Sequence, residues 1–177
     1  HNKPWTSKRF NRFRDIWWFY YALSWEDILL RKPSLKLSFS DMVGDFPYHT
    51  AIYTNTADIF ELEHLLQALP DVAFHVLAHS HFGFNLVKLE QYPNLILYPS
   101  FDPLTSRKVL EKIDFYLDIN PFDEVDHITE TIHQLGLPIF SFEGTNHDHT
   151  GKNQVFKNDQ VDQMVEAVRD YIDTIER

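Results

Sequence analysis

A Rossmann-like doubly wound α/β fold is the architecture this sequence predicts, with about five parallel strands flanked by helices and an N-terminal aromatic helical extension. Three observations predict it. From residue 50 onward, short apolar runs alternate with segments of helical period. The runs are apolar along their whole length, as strands of a parallel sheet covered on both faces must be. The connections between them are short, and right-handed crossovers then favour the strand order 3-2-1-4-5.

Each element has its own warrant. His49-Thr50-Ala51-Ile52-Tyr53-Thr54 is rich in residues that suit a strand. Asp58 to Leu69 is helical, with Ile59, Leu62, Leu65, Leu66 and Leu69 at three- and four-residue steps and Pro70 to stop it. Ala73 to Ala78 is the second strand, Asn85 to Gln91 a short helix, and Asn94 to Tyr98 the third strand. Leu104 to Lys112 is helical and leads into the strand Asp114 to Ile119. A helix from about Val125 to Leu135 closes at Gly136, a C-cap signal. Leu137 to Phe142 is the fifth strand, and Asp159 to about Ile175 the final amphipathic helix.

Residues 1–49 read differently and form a helical and irregular extension, distinct from the lobe at 50–177. The block Trp17-Trp18-Phe19-Tyr20-Tyr21 is either a helix buried on its own domain or an interface with a missing lobe or partner. The chain starts at His1 without Met or a cleavable signal pattern, so it reads as an excised piece of a longer protein.

Composition excludes several classes. Lys+Arg 16 against Asp+Glu 26 gives a net charge of −10, which argues against a grip on nucleic-acid phosphates. No apolar run approaches the roughly 20 residues of a membrane-spanning helix. With no Cys in 177 residues there is no thiol nucleophile and no disulfide framework, which fits a reducing, cytoplasmic setting. The P-loop, dinucleotide and Gly-x-Ser-x-Gly signatures are all absent.

Ligands of open α/β sheets bind at the carboxyl ends of the strands. There the sequence gathers Thr54-Asn55, His79-Ser80-His81, Pro99-Ser100, Asp118-Ile119-Asn120 and Phe142 to Thr145. Any phosphate would have to rest on helix N-termini near Thr56, Phe82, Asp123 and Thr145. Asp123 and Glu124 either start a helix, as acids do by macrodipole chemistry, or accept hydrogen bonds from sugar or ribose hydroxyls. Glu143 to Gly151 is a polar loop whose His147 and His149 could join His79 and His81 in a metal site. The fragments Gly44-Asp45, Asn146-His147-Asp148 and His79-Ser80-His81 echo metallophosphoesterases, but in the wrong order. No metal is therefore assigned, and a metal-dependent hydrolase stays as an alternative.

Several segments carry a family resemblance: Ile52 to Thr56, Phe74-His75-Val76, Asn94 to Pro99, Tyr116 to Val125, and Pro138 to His147. Together they resemble the C-terminal lobe of bacterial GT-B-type glycosyltransferases, above all the enzymes and partner subunits that O-glycosylate serine-rich-repeat adhesins. The resemblance covers most of residues 50–170. It implies transfer of a hexose or N-acetylhexosamine from a nucleotide-sugar, such as a UDP-sugar, to a protein or glycan acceptor, with no cofactor. It also implies that catalysis needs the N-terminal lobe of the same protein, so this chain alone should not turn over.

By that resemblance Glu124 would hold donor hydroxyls and Asn120 would orient the sugar. Thr145 and Asn146 would contact phosphate or sugar, His147 would take a proton or phosphate role, and His79 and His81 would stand at crevice height. The family's Asn-His-Gly-Asn-Glu turn reads Asn120-Pro121-Phe122-Asp123-Glu124 here, retaining the Glu alone of its last four positions together with Asp for Asn. The family's second Glu falls on Thr131, one residue from Glu130, and no Arg/Lys pair marks a diphosphate site. These departures keep open a non-catalytic partner subunit that stabilises a sister glycosyltransferase and binds an acceptor polypeptide.

Overall fold

The computed structural model describes residues 46–175, and the aromatic block of the extension lies outside them. The strands are β1 (Tyr48–Tyr53), β2 (Val72–Ala78), β3 (Leu95–Pro99), β4 (Phe115–Asp118), β5 (Ile139–Phe142) and β6 (Gln154–Phe156). They form one sheet in the order β3-β2-β1-β4-β5-β6, and every pairing is parallel. The helices are α1 (Leu62–Ala68), α2 (Phe84–Val87), α3 (Pro103–Lys112), α4 (Ile128–Gln134) and α5 (Val161–Asp173). A 3-10 turn, Lys88–Gln91, continues α2.

The expected order 3-2-1-4-5 is present, extended by a sixth strand that the sequence reading did not include. Three helix starts fall later than expected, α1 at Leu62, α4 at Ile128 and α5 at Val161; before the first two, Glu61 and His127 adopt left-handed φ of 58° and 51°. No helix begins at Thr145. That residue lies in a turn leading to β6, which corrects the expected N-terminus there.

Alternation of side chains across the buried strands divides the core into two layers. Ile52, Phe74, Val76, Leu117 and Phe140 meet Leu62 and Leu65 of α1, Leu86 of α2 and Met164 and Val168 of α5. On the opposite face Tyr53, Leu77, Ile96, Tyr116 and Ile139 meet Val109 of α3 and Ile128 and Ile132 of α4. Chain reversal between β1 and β4 therefore sends α1 and α4 to opposite faces, which opens a switch-point crevice at the carboxyl edge.

Local chemistry fixes the helix ends. Asp102 caps α3 by accepting from Thr105 N at 2.7 Å, with Pro103 as the first helical residue. At the end of α4, Gly136 takes φ 74° while Leu137 N donates to Ile132 O and Gly136 N to His133 O, a Schellman closure. At the end of α1, Pro70 has no N–H to offer the carbonyl of Leu66. The buried Asn94 supplies it instead, donating from Nδ2 to Leu66 O at 3.1 Å and Leu69 O at 2.9 Å.

Replacing Asn94 by Ala strands the Leu66 carbonyl in the core. Urea denaturation of Asn94→Ala should report a loss of about 1–3 kcal/mol.

Candidate functional site

The carboxyl edge is organised around one acid. Asp118 ends the otherwise apolar run Phe115-Tyr116-Leu117, and its side chain is 3% exposed. Its Oδ1 lies 2.6 Å from His147 Nδ1, and its Oδ2 accepts from the backbone N–H of His147 at 2.8 Å. Its carbonyl accepts from Thr145 Oγ1 at 2.7 Å. The other imidazole nitrogen, Nε2, lies 2.5 Å from the carbonyl oxygen of Phe122. Both ring nitrogens thus face only acceptors, so both must carry protons. The hydrogen bond to Asp118 accordingly raises the His147 pKa to about 9 from 6.5, against the opposing effect of burial. His147 is an imidazolium at neutral pH that ties the turn after β4 to the loop after β5.

The other nominated residues are also engaged. Asn120, 2% exposed, donates from Nδ2 to Asp123 O at 3.0 Å and faces Thr54 Oγ1 at 3.4 Å through Oδ1. Glu124 Oε2 accepts from Thr129 N at 2.7 Å and from the Thr129 hydroxyl, so the chain's own carboxylate caps α4. Thr145 Oγ1 also receives Phe142 N at 3.2 Å. Asn146 Oδ1 accepts from Ser141 Oγ, Asp148 N and Asn153 Nδ2. His79 stands apart, exposed, with Nε2 at 2.6 Å from Asp126 Oδ2 and its ring stacked on Phe101 at 4.6 Å. His81 is exposed and belongs to neither arrangement.

A cavity of about 570 Å³ opens beside this framework, lined by residues of α4 and its approach (Glu124, His127, Glu130, His133) and of the β5–β6 loop (His147, Asp148, Lys152). A larger one, about 760 Å³, lies by α1 and the 3-10 turn and shares none of these residues. The smaller cavity is the candidate site because Glu124 and His147 both line it. Its loop wall is held by Asp148. Burial pushes the Asp148 carboxyl up, but hydrogen bonds from Thr150, Asn153 and Lys152 outweigh this and hold it below the usual carboxylate range. Lys152 is the only Lys or Arg among the described residues lining the cavity, which Glu124, Glu130 and Asp148 also line. Among the described residues no group of three or more His, Asp or Glu is placed to hold a metal.

A protein-family model described as the GftB/GlyA-F C-terminal domain matches residues 50–177. The chain belongs to this family. Within the GftB/GlyA-F C-terminal domain family it is 45% identical over 170 residues to glycosyltransferase GlyB of Streptococcus pneumoniae, covering 96% of this chain and 42% of that protein. It is 34% identical over 97 residues to the Streptococcus agalactiae protein GtfB, covering 55% of this chain and 22% of that one. GtfB is named as the stabilizing protein of a UDP-N-acetylglucosamine–peptide N-acetylglucosaminyltransferase. The crystal structure of glycosyltransferase GlyE of Streptococcus pneumoniae superposes with a TM-score of 0.66 at 25% identity, over 90% of this chain and 41% of that one. The chain spans under half the length of these relatives. Nothing in the matches supports a metal-dependent hydrolase.

Sequence reasoning had placed Asp118 at the edge without giving it a role. Its signal was an acid closing an apolar strand. Thr129, Lys152 and Asp126 carry no such signal, while Asn55 belongs to the Thr54-Asn55 pair expected at this edge.

The imidazolium makes stability depend on pH. A folded pKa above the unfolded value stabilises fully below about 6.5 and ceases to do so as pH climbs through about 9. Urea titrations should show a contribution on the order of 2 kcal/mol lost across that window. In His147→Gln the pH slope should flatten, and the variant should match the parent near pH 10.

Proposed function

We propose that this lobe faces the donor in a glycosyltransferase that passes a hexose or N-acetylhexosamine from a nucleotide-sugar to a protein or glycan acceptor. Glu124 carries the reading. Thr129 fixes one carboxylate oxygen, and Oε1 has no hydrogen-bond partner among the described residues while the side chain lines the cavity. A carboxylate so held is an acceptor for vicinal hydroxyls of a sugar or ribose, and hydrogen bonds to a charged group contribute about 1.5–3 kcal/mol. The cavity's volume suits a ligand of nucleoside or monosaccharide size. Diphosphate recognition then falls to the rest of the protein, since Glu124 already occupies the α4 amide and Lys152 stands among three acids.

That same shortage of cations favours a second reading. The chain acts as a glycosyltransferase-like partner lobe that stabilises a sister subunit and helps bind acceptor polypeptide. The named role of the relative GtfB is of this kind. Four of the six exposed large hydrophobics among the described residues, Phe84, Val87, Leu104 and Phe122, follow the carboxyl ends of β2, β3 and β4, where such a contact would form.

Calorimetric titration with UDP, UDP-glucose and UDP-N-acetylglucosamine separates the readings. Donor binding predicts a submillimolar dissociation constant that Glu124→Gln weakens roughly 10-fold or more. Absence of binding at millimolar UDP and UDP-sugars assigns the chain to the partner reading.

A further inference from the structure

A chain of rings crosses the core layer that faces α3 and α4. His49 of β1, His75 of β2 and Tyr98 of β3 share that face by strand alternation, and all three are buried. In the parallel register His49 pairs with Ala73 and His75 with Ala51, so each imidazole lies opposite a methyl side chain that leaves it room. Tyr98 pairs with Leu77, two residues beyond His75. The rings therefore run diagonally from the amino end of β1 to the carboxyl end of β3. His49 Nδ1 lies 2.9 Å from His75 Nε2, and His75 Nδ1 lies 2.8 Å from the Tyr98 hydroxyl oxygen. The rings are stacked pairwise, with centroids 5.2 and 5.7 Å apart.

The count of protons in this chain is restricted. Two ring nitrogens facing each other hold one proton between them. With both rings neutral that count is met. A proton added to His75 keeps both contacts, since the ring then donates to His49 Nδ1 and to the Tyr98 oxygen. It also places a charge on a ring with no exposure to water. A proton added to His49 makes Nδ1 the donor and commits His75 Nε2 to accept. Protons on both rings set two N–H groups against each other, and the contact is lost.

The surroundings also oppose a charge on His75. From α3 comes Lys112, whose charge repels a proton there, and from β1 comes His49 itself. From β3 comes Tyr98, whose hydroxyl burial pushes up, so that it stays neutral. Ahead of β4, Asp114 Oδ2 accepts the backbone N–H of His49 at 3.0 Å. From α4 the layer receives Ile128 and Ile132. Burial first, then His49 and Lys112, holds the His75 pKa well below its ordinary 6.5.

We infer that the His49–His75–Tyr98 chain is an acid-sensitive clasp on the first three strands, closed while His75 is neutral and released when protons are forced onto the pair. The folded chain takes up fewer protons here than the unfolded chain does. The clasp's contribution is therefore present above the unfolded value of about 6.5 and is lost as pH falls below it. This is opposite in sign to the contribution of His147, which acts on β4 and β5 in the other half of the sheet.

Urea denaturation of the whole chain between pH 6.5 and 5 tests the clasp. His75→Phe keeps a flat ring but cannot titrate. The folding constant of the parent divided by that of His75→Phe should fall roughly 10-fold across this interval. The ratio cancels groups that titrate alike in both proteins. Nitrogen-15 spectra of the parent's ring nitrogens give a reading that does not depend on the variant folding. At pH 5.5 folded His75 should show one protonated and one bare nitrogen. A ratio that does not change with pH, or an imidazolium at His75 in the folded chain at pH 5.5, overturns the clasp.

Discussion

The carboxyl edge of this lobe depends on a single buried carboxylate. Asp118 is taken out of water at the end of a hydrophobic strand, where an unpaired charge would cost several kcal/mol. It is compensated by a backbone N–H and a charged N–H from His147, and its own carbonyl holds Thr145. Because these partners lie 27 and 29 residues further along the chain, the ion pair brings the loop after β5 against the end of β4. His147 then passes the constraint to Phe122. Asp118 thereby couples the loop wall, held within itself by Asp148, to the turn that leads into α4.

That economy has a chemical consequence. Groups that sequence chemistry offers to a ligand are mostly committed to one another. The α4 amide that a phosphate would seek already holds Glu124, and the His147 charge is neutralised by Asp118 within the same framework. The edge retains oxygen acceptors more than cations, in a chain of net charge −10. Such a surface suits hydroxyl-rich, neutral ligand parts better than a diphosphate, since acids repel the latter and accept hydrogen bonds from the former. Membership of the GftB/GlyA-F C-terminal domain family is compatible with both, because glycosyltransferases and a stabilizing protein are among its relatives.

The layers of the fold were legible because period and burial are local properties. Leu62, Leu65 and Leu66 announce α1, Pro70 ends it, and β2, apolar at every position but His75, reads as a strand covered on both faces. β6 was not legible. Gln154-Val155-Phe156 is three residues long and exposed on two of them, and it is a strand only because β5 offers it an edge. The site divides in the same way. Residue types placed Glu124, Asn120, Thr145 and His147 at the right edge, since strand ends fix that. Whether Glu124 faces a ligand or Thr129 is a competition between partners that spacing cannot resolve, and Asp118 finds His147 only through the folded sheet.

The same competition sets what binding at this edge can achieve. A ligand hydroxyl that displaced Thr129 from Glu124 would exchange one charge-assisted hydrogen bond for another and uncap α4, for little net gain. A hydroxyl meeting the unengaged Oε1 adds a bond and keeps the cap, so useful affinity must come through that oxygen. Thr129 then acts as a positioning residue, since it removes the rotational freedom that Glu124 would otherwise lose on binding. The internal hydrogen bonds of this edge are therefore compatible with recognition, provided the ligand adds to them and does not replace them.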